Sequence, residues 1–311
     1  MIITSESTAI FKLRQCLPHE VSSALSRLSK SLSDKISEIR LHAGGVCHVT
    51  IDGENLFLSS SGISRDSENA IPVSKNDLED FLYRFCKGSI YTHEHSLSEF
   101  YITSDGIRVG IGGESTGGII REVKSLNIRI PRHINGCSKE LFEYIYNDGF
   151  KNGKGILIIS KPGHGKTTML RDLALRLSSY SKHEKDFLPK RVCVIDERNE
   201  IYMDNIFTKC CIDFLSGIPK VKGIEIASRV LSPEIIICDE ISTSDEAEKI
   251  TQQKNHGIVF IASFHSDSFA NALSKEYINE MFKKGVFGAA YTLNLCGTKI
   301  TGEISKYNDS Y

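Results

Sequence analysis

The sequence predicts an α/β fold, with a smaller α+β region over residues 1–135 and a larger core over residues 136–311. Three observations predict it. From Gly155 onward, short apolar runs alternate with amphipathic stretches of helical length, the pattern of a largely parallel sheet covered by helices. One of the strand-to-helix junctions carries the glycine-rich segment SKPGHGKTT, Ser160 to Thr168. Two further apolar runs end in acidic pairs, Asp196-Glu197 and Asp239-Glu240.

The 311 residues suffice for about two ordinary domains. Hydrophobic residues make up 40% and charged residues 25%, a globular composition with material for a real core. The formal net charge of -1 gives no global sign of a polyanion-binding protein, so nucleic acid is not expected as a partner. No apolar run reaches the length of a membrane span, and the polar start MIITSESTAIFKLRQCLP lacks the apolar stretch of a secretory signal. These features predict a cytoplasmic protein, with peripheral attachment to a membrane through protein partners left open. None of the nine cysteines forms a CxxC pair, and Cys193 and Cys238 sit in apolar runs, so reduced core thiols are expected rather than a zinc site.

In the first region, Leu17 to Leu32 reads as one helix. In the stretch Glu38 to Leu58, Asp52-Gly53 marks a hairpin in which Val46, His48 and Thr50 face Asn55, Phe57 and Leu58. Asn76 to Phe85 reads as a second amphipathic helix, and Ser98 to Gly113 as a second hairpin around Asp105-Gly106. The glycine-rich GIGGESTGG, Gly110 to Gly118, has no GK[ST] ending and reads as a flexible connection. Ser125 to Arg132 closes the region as a strand stopped by Pro131. His93 and His95 share a face if their segment is a strand, but no third metal ligand accompanies them.

The core opens with the helical KELFEYIYNDGF and the strand Gly155 to Ser160. In SKPGHGKTT, loop N–H groups and the following helix N-terminus are placed to wrap phosphates. Ser160, Lys161, Pro162, Gly163, His164 and Gly165 form the loop, with the two glycines permitting close backbone approach. Lys166 is placed to reach the β- and γ-phosphates, Thr167 to meet Mg²⁺, and Thr168 to lie near the α-phosphate. ATP and Mg²⁺ are the expected ligands; a guanine-reading Asn/Thr-Lys-x-Asp element is not evident.

In open α/β sheets, functional groups collect at the carboxyl ends of strands. Asp239 is the candidate for the Mg²⁺ hydration shell and Glu240 for polarising the attacking water, with Glu197 a rival for that role. Asp196-Glu197-Arg198 also reads as a cap with a local ion pair. Ser263 and His265, at the end of a further strand, are candidates to sense the terminal phosphate. An arginine completing the site from a neighbouring subunit is sought among Arg198, Arg229, Arg108, Arg129 and Arg132, with Arg129 preferred. The last segment, AAYTLNLCGTKITGEI, reads as a terminal hairpin around Cys296-Gly297.

Together these segments resemble the stage III sporulation protein AA family, itself similar to the type II and type IV secretion ATPases of the RecA-like and AAA-type P-loop group. The resemblance rests on EIRLHAG, DGIRVGIGGE and SLNIRIPR in the first region, and on KPGHGKTTMLRDLALRLS, VIDERNEI and GIPKVKGIEIASRVLSPEIIICDEI in the core. It implies a RecA-like P-loop NTPase core, Lys166 and Thr167 on phosphate and Mg²⁺, Glu197 at an additional acidic site, Asp239 and Glu240 at the second acidic motif, and His265 at a histidine-box position. It also implies a homo-oligomer, a hexamer being one option, docked to a sporulation or secretion-like membrane complex. Ser160 departs from the family's loop glycine, and STSDEAEKI from its usual turn after the acidic strand. The expected function is an Mg-dependent, ATP-hydrolysing, secretion-type motor. The alternatives are a nucleic-acid translocase and a nucleotide-gated scaffold without turnover.

Overall fold

The computed structural model describes residues 8–88, 100–104, 106–131, 134–149, 153–180, 187–203, 206–254, 256–296 and 299–308. The chain divides into two compact units, Met1–Arg132 and His133–Tyr311. His93, His95, Asp105 and Arg132 lie outside the described residues.

The first unit begins with helices α1 (Thr8–Cys16), α2 (His19–Arg27) and α3 (Lys30–Ser33). Strands β1 (Ile36–His42), β2 (Gly45–Val46), β3 (His48–Ile51), β4 (Glu54–Ser59), β5 (Gly62–Ser64) and β6 (Pro72–Val73) follow, then α4 (Lys75–Phe85), β7 (Tyr101–Ser104), β8 (Ile107–Thr116) and β9 (Ile119–Arg129). Seven strands form an antiparallel sheet in the order β5-β4-β3-β1-β9-β8-β7. Alternation decides its faces. Ile39, Leu41, Val49, Val109, Leu126 and Ile128 are buried in a core shared with Val21 and Leu25 of α2 and Leu78, Phe81 and Phe85 of α4. A reciprocal capping box starts α4: the Asp77 backbone N–H donates to Ser74 Oγ, and the Ser74 N–H donates to the Asp77 carboxylate.

The expected hairpin turns at Asp52 and Gly53, both at positive φ, and pairs His48 with Phe57 and Thr50 with Asn55. Val46 leaves it and pairs with Pro72, while Leu58, whose N–H donates to the Cys47 carbonyl at 3.1 Å, pairs with Ile63 on its other side. Two other expectations are corrected. The single helix over Leu17 to Leu32 is broken, because Leu28 is extended (φ -68°, ψ 144°) and only one short turn follows. The stretch Gly110 to Gly118 is mostly strand: residues 110–116 belong to β8, and Gly117 and Gly118 alone make the positive-φ turn into β9. The glycines at 112 and 113 serve close strand approach. A Cβ there would stand 2.3 Å from Ser125 Oγ and 1.9 Å from the Glu122 carbonyl oxygen, and the ladder shifts register between the two glycines.

The second unit runs α5 (Lys139–Tyr144), a π-helical turn (Ile145–Gly149), β10 (Gly155–Ser160), α6 (Lys166–Ser178), β11 (Val192–Asp196), β12 (Ile212–Ser216), α7 (Lys220–Ile226), a second π-helical turn (Ala227–Leu231), β13 (Ile235–Glu240), α8 (Ser244–Lys254), β14 (Val259–His265), α9 (Phe269–Leu273), α10 (Glu276–Lys283), β15 (Phe287–Cys296) and β16 (Lys299–Lys306). The sheet order is β12-β11-β13-β14-β10-β15-β16, with every pairing parallel except the terminal β15–β16 hairpin. Strand β12 is an edge strand whose half-exposed residues gave no apolar run to read.

Successive strand residues point to opposite faces, each covered by helices. Leu157, Ile159, Ile195 and Ile236 pack with Ile224, Ile250 and Phe282 on one side. Ile156, Ile158, Val194 and Ile237 pack with Leu170, Leu173 and Leu141 on the other. The central strands are therefore apolar along their whole length, and their carboxyl ends are where polar groups emerge.

Candidate functional site

Strand β10, buried throughout, delivers the chain to the loop at Ser160. Gly163 and Gly165 take φ of 76° and 88°, the left-handed conformation that a glycine adopts without steric cost. A Cβ at Gly165 would also lie 2.6 Å from Ile300 Cδ1, so that side chain would have to shift. Helix α6 starts immediately afterwards at Lys166. Ser160, in the position of a loop glycine, is buried and turns its hydroxyl onto the Lys161 carbonyl at 2.8 Å. Lys161 and Pro162 are exposed, Lys161 facing Asp267 at 3.9 Å. His164 Nδ1 lies 3.0 Å from the Pro162 carbonyl oxygen. Thr167 and Thr168 are half-buried in the first turn of α6.

The Lys166 ammonium is buried and stands 2.6 Å from Nδ1 of His265. The other ring nitrogen of His265 lies 3.2 Å from Glu240 Oε2. Nδ1 is placed to accept from the lysine, while Nε2 lies between the two charged groups, 3.2 Å from the Lys166 ammonium and 3.2 Å from the carboxylate. Register explains the convergence: Ser160 on β10 is opposite His265 on β14, and Glu240 on β13 is opposite Ser263. Burial depresses the Lys166 pKa, while the fields of Glu240 and Asp239 oppose that shift.

Asp239 occupies an irregularity in the ladder between Cys238 and Glu240, the kind of extra residue that re-aims a side chain. It is buried, and its pKa is pushed up to about 6, first by desolvation and then by the charges of Glu200 and Asp196; Lys220 and Arg198 pull the other way. The buried Ser263 hydroxyl, on β14 opposite Glu240, has no hydrogen-bond partner among the described residues.

The first acidic pair divides. Asp196 is fully buried and accepts the backbone N–H groups of Glu200, Ile201 and Tyr202 at 2.8 to 2.9 Å, so it clamps the loop after β11. Glu197 is 40% exposed and lies 3.8 Å from the Lys220 ammonium. Among the arginines, Arg198 is exposed and Arg229 pairs with Glu225 at 3.1 Å. Arg129 belongs to the first unit, at the end of β9; it lies opposite Arg108 and 3.6 Å from Glu38.

Several charged residues were not singled out from the sequence. Lys220, buried at the first position of α7, donates to the Glu240 carbonyl and to Glu246 Oε1. Arg171 is buried in α6 and donates to the carbonyls of Ile201 and Glu200. Its neighbour Asp172 accepts from the Gly136 and Ser138 backbones at 3.0 and 2.9 Å and from Ser138 Oγ at 2.6 Å. A signal existed for each. Arg171-Asp172 interrupts a helix that is otherwise apolar toward the sheet, and a lysine in the first helical turn opposes the helix dipole.

A parallel sheet flanked by helices, a glycine loop between its central strand and a helix, and acids on the next strand ends define the RecA-like P-loop class, in the form found in secretion ATPases. The fold of the ATPase DotB from Legionella pneumophila matches with a TM-score of 0.62 at 12% identity, covering 94% of this chain and 82% of that one. The pilus retraction motor PilT, solved with bound ADP, matches at 0.58 and 14%, covering 90% and 82%. More specifically, the chain belongs to the sporulation stage III, protein AA family, whose description matches residues 11–309. Stage III sporulation protein AA of Bacillus subtilis (strain 168) is 30% identical over 310 residues, 96% of this chain and 94% of that protein.

Proposed function

We propose that the chain binds Mg-ATP at the loop 160–168, hydrolyses it, and works as a secretion-type motor on a sporulation envelope complex. The observation that carries the reading is the meeting of Lys166, His265 and Glu240 at the ends of adjacent strands, Lys166 hydrogen-bonded to His265 and His265 3.2 Å from Glu240, beside the buried Asp239. Lys166 neutralises phosphate charge. Phosphate oxygens compete with His265 for the lysine's protons, so binding releases the ring, and a neutral imidazole carrying its proton on Nε2 can turn that N–H toward the terminal phosphate. Glu240 then orients and polarises the attacking water, with Ser263 supplying a hydroxyl in the same buried wall.

The donors present fit a divalent cation. Asp239 is a hard oxygen ligand whose negative charge is poorly compensated where it lies, and Thr167 offers a hydroxyl at the helix start. These two would hold Mg²⁺, Asp239 through water, and the bound ion would neutralise charge on the phosphates. Loop residues Lys161, Pro162, Gly163, His164 and Gly165 supply backbone around the phosphates, while Ser160 closes the strand end. Glu197 borders the site as a support for the acidic cluster. The reading includes a homo-oligomer, a hexamer being one form, in which Arg129 of one subunit completes the site of its neighbour. Family membership and the fold shared with secretion ATPases support the motor and the membrane complex as its setting. Among the described residues no helix is long and apolar enough to cross a membrane, so the proposed attachment runs through protein partners.

The test is Mg-ATP binding by calorimetry. Lys166→Ala should weaken affinity at least about tenfold in a protein with an unchanged circular dichroism spectrum. Unchanged affinity and unchanged turnover in that variant would remove the assignment.

A further inference from the structure

Lys220 is a costly residue where it stands. Its side chain is 5% exposed, and taking an ammonium out of water is unfavourable before any pairing. It also sits at the start of a helix, where the dipole disfavours a cation. The packing nevertheless brings it there. Gly223, one turn on, lets α7 lie close against β11: a Cβ at that position would come 2.8 Å from Ile195 Cγ2.

The ammonium reaches three elements. It donates to the backbone carbonyl of Glu240 at the end of β13 and to Glu246 Oε1 at the start of α8 at 3.2 Å, and it faces Glu197 after β11 at 3.8 Å. Glu246 is itself buried and receives the Ser242 backbone N–H at 2.8 Å. Between them, the Ile241 N–H donates to the Ser263 carbonyl at 2.8 Å. Three consecutive residues, Glu240, Ile241 and Ser242, are thus tied at separate points, and the first and third ties run through the Lys220–Glu246 pair.

We infer that Lys220 is a positioning residue: it fixes from behind the backbone that carries Asp239 and Glu240, so that the geometry for water attack depends on it while nucleotide affinity does not. The inference rests on the hydrolysis reading above.

The experiment compares the unmodified chain with Lys220→Met, Glu246→Gln and the double variant, measuring kcat for Mg-ATP, nucleotide Kd and melting temperature. Lys220→Met leaves Glu246 buried and unpaired and should melt lower. The double variant removes both charges and should recover most of that loss. In both, kcat should fall about tenfold to a hundredfold, the size of effect that small misplacements of reacting groups produce, with Kd within about threefold of the unmodified chain. Glu246→Gln, which keeps the ammonium but loosens its anchor, should also lower kcat with Kd retained; it serves if the lysine variants do not fold. Return of normal kcat in the double variant would mean that Lys220 only neutralises Glu246, and would overturn the inference. Equal losses in kcat and affinity would overturn it too. Absence of turnover in the unmodified chain would instead bring down the hydrolysis reading and this assignment with it.

Discussion

At the scale of single residues, Asp239 illustrates how a site can oppose its own fold. Its carboxyl has an ordinary value of 3.8 and is raised to about 6, chiefly by desolvation. A raised carboxyl pKa means that the ionised form is worse off in the fold than in the unfolded chain, so the penalty is absent below 3.8, grows as pH rises to about 6, and is complete above it. Asp239→Asn should therefore stabilise the protein at pH 7.5, by an amount on the order of 2–3 kcal/mol. The advantage should shrink as pH falls through 6 and vanish near 4, read as paired melting curves in Mg-free buffer. A lower melting temperature for Asp239→Asn at pH 7.5 would show that the carboxylate is well compensated in the fold. Residues of this kind were legible in the sequence because strand ends in a parallel sheet collect functional groups, which singled out Asp239, Glu240 and His265 together. Asp196 was not separable from Glu197 in that way. The two are adjacent in sequence, and only the path of residues 200–202 turns the first into a backbone clamp.

At the scale of elements, the strand-to-helix junction at Ser160–Lys166 could be read directly, because apolar periodicity, glycines and a basic residue all fall in one short segment. Likewise the Asp52-Gly53 turn carries its geometry in its own two residues. Expectations failed where a distant partner decides. Nothing local in GIGGEST announces that Ser125 and Glu122 lie against it, so glycines placed for close approach resembled glycines placed for flexibility. Asp172 is the same case inside a helix: its partners, Gly136 and Ser138, stand more than thirty residues earlier. It joins the start of α5 to α6, the helix that begins at Lys166. Asp172→Ala should strand two backbone N–H groups and the Ser138 hydroxyl, costing about 2–4 kcal/mol in urea denaturation at neutral pH. A loss below about 0.5 kcal/mol would mean that α5 is held by its apolar face, Leu141 and Phe142, and not by this carboxylate.

At the scale of the whole molecule, the second unit supplies phosphate-binding, acidic and histidine groups, while Arg129 lies on the sheet of the first unit, sharing Glu38 with Arg40. If Arg129 completes a neighbour's site, specific turnover should rise with protein concentration in step with the mass in solution. Arg129→Ala should lose kcat at least about tenfold with little change in nucleotide affinity, since charge supplied to the transferring phosphoryl group counts mainly in the transition state. Mixing folded, subunit-exchanging Lys166→Ala and Arg129→Ala proteins should restore part of the rate. Normal turnover in Arg129→Ala would dismiss that arginine alone; full, concentration-independent turnover by a monomer would dismiss the oligomer. All of this depends on the chemistry assigned to the group Lys166, His265 and Glu240 and to the neighbouring Asp239. The most direct measurement is phosphate release from ATP by the purified chain, with and without Mg²⁺, set beside Glu240→Gln. The account predicts Mg-dependent release that Glu240→Gln reduces at least about a hundredfold while still binding Mg-ATP; no release by the unmodified chain in its assembled form, or an undiminished rate in Glu240→Gln, would contradict it.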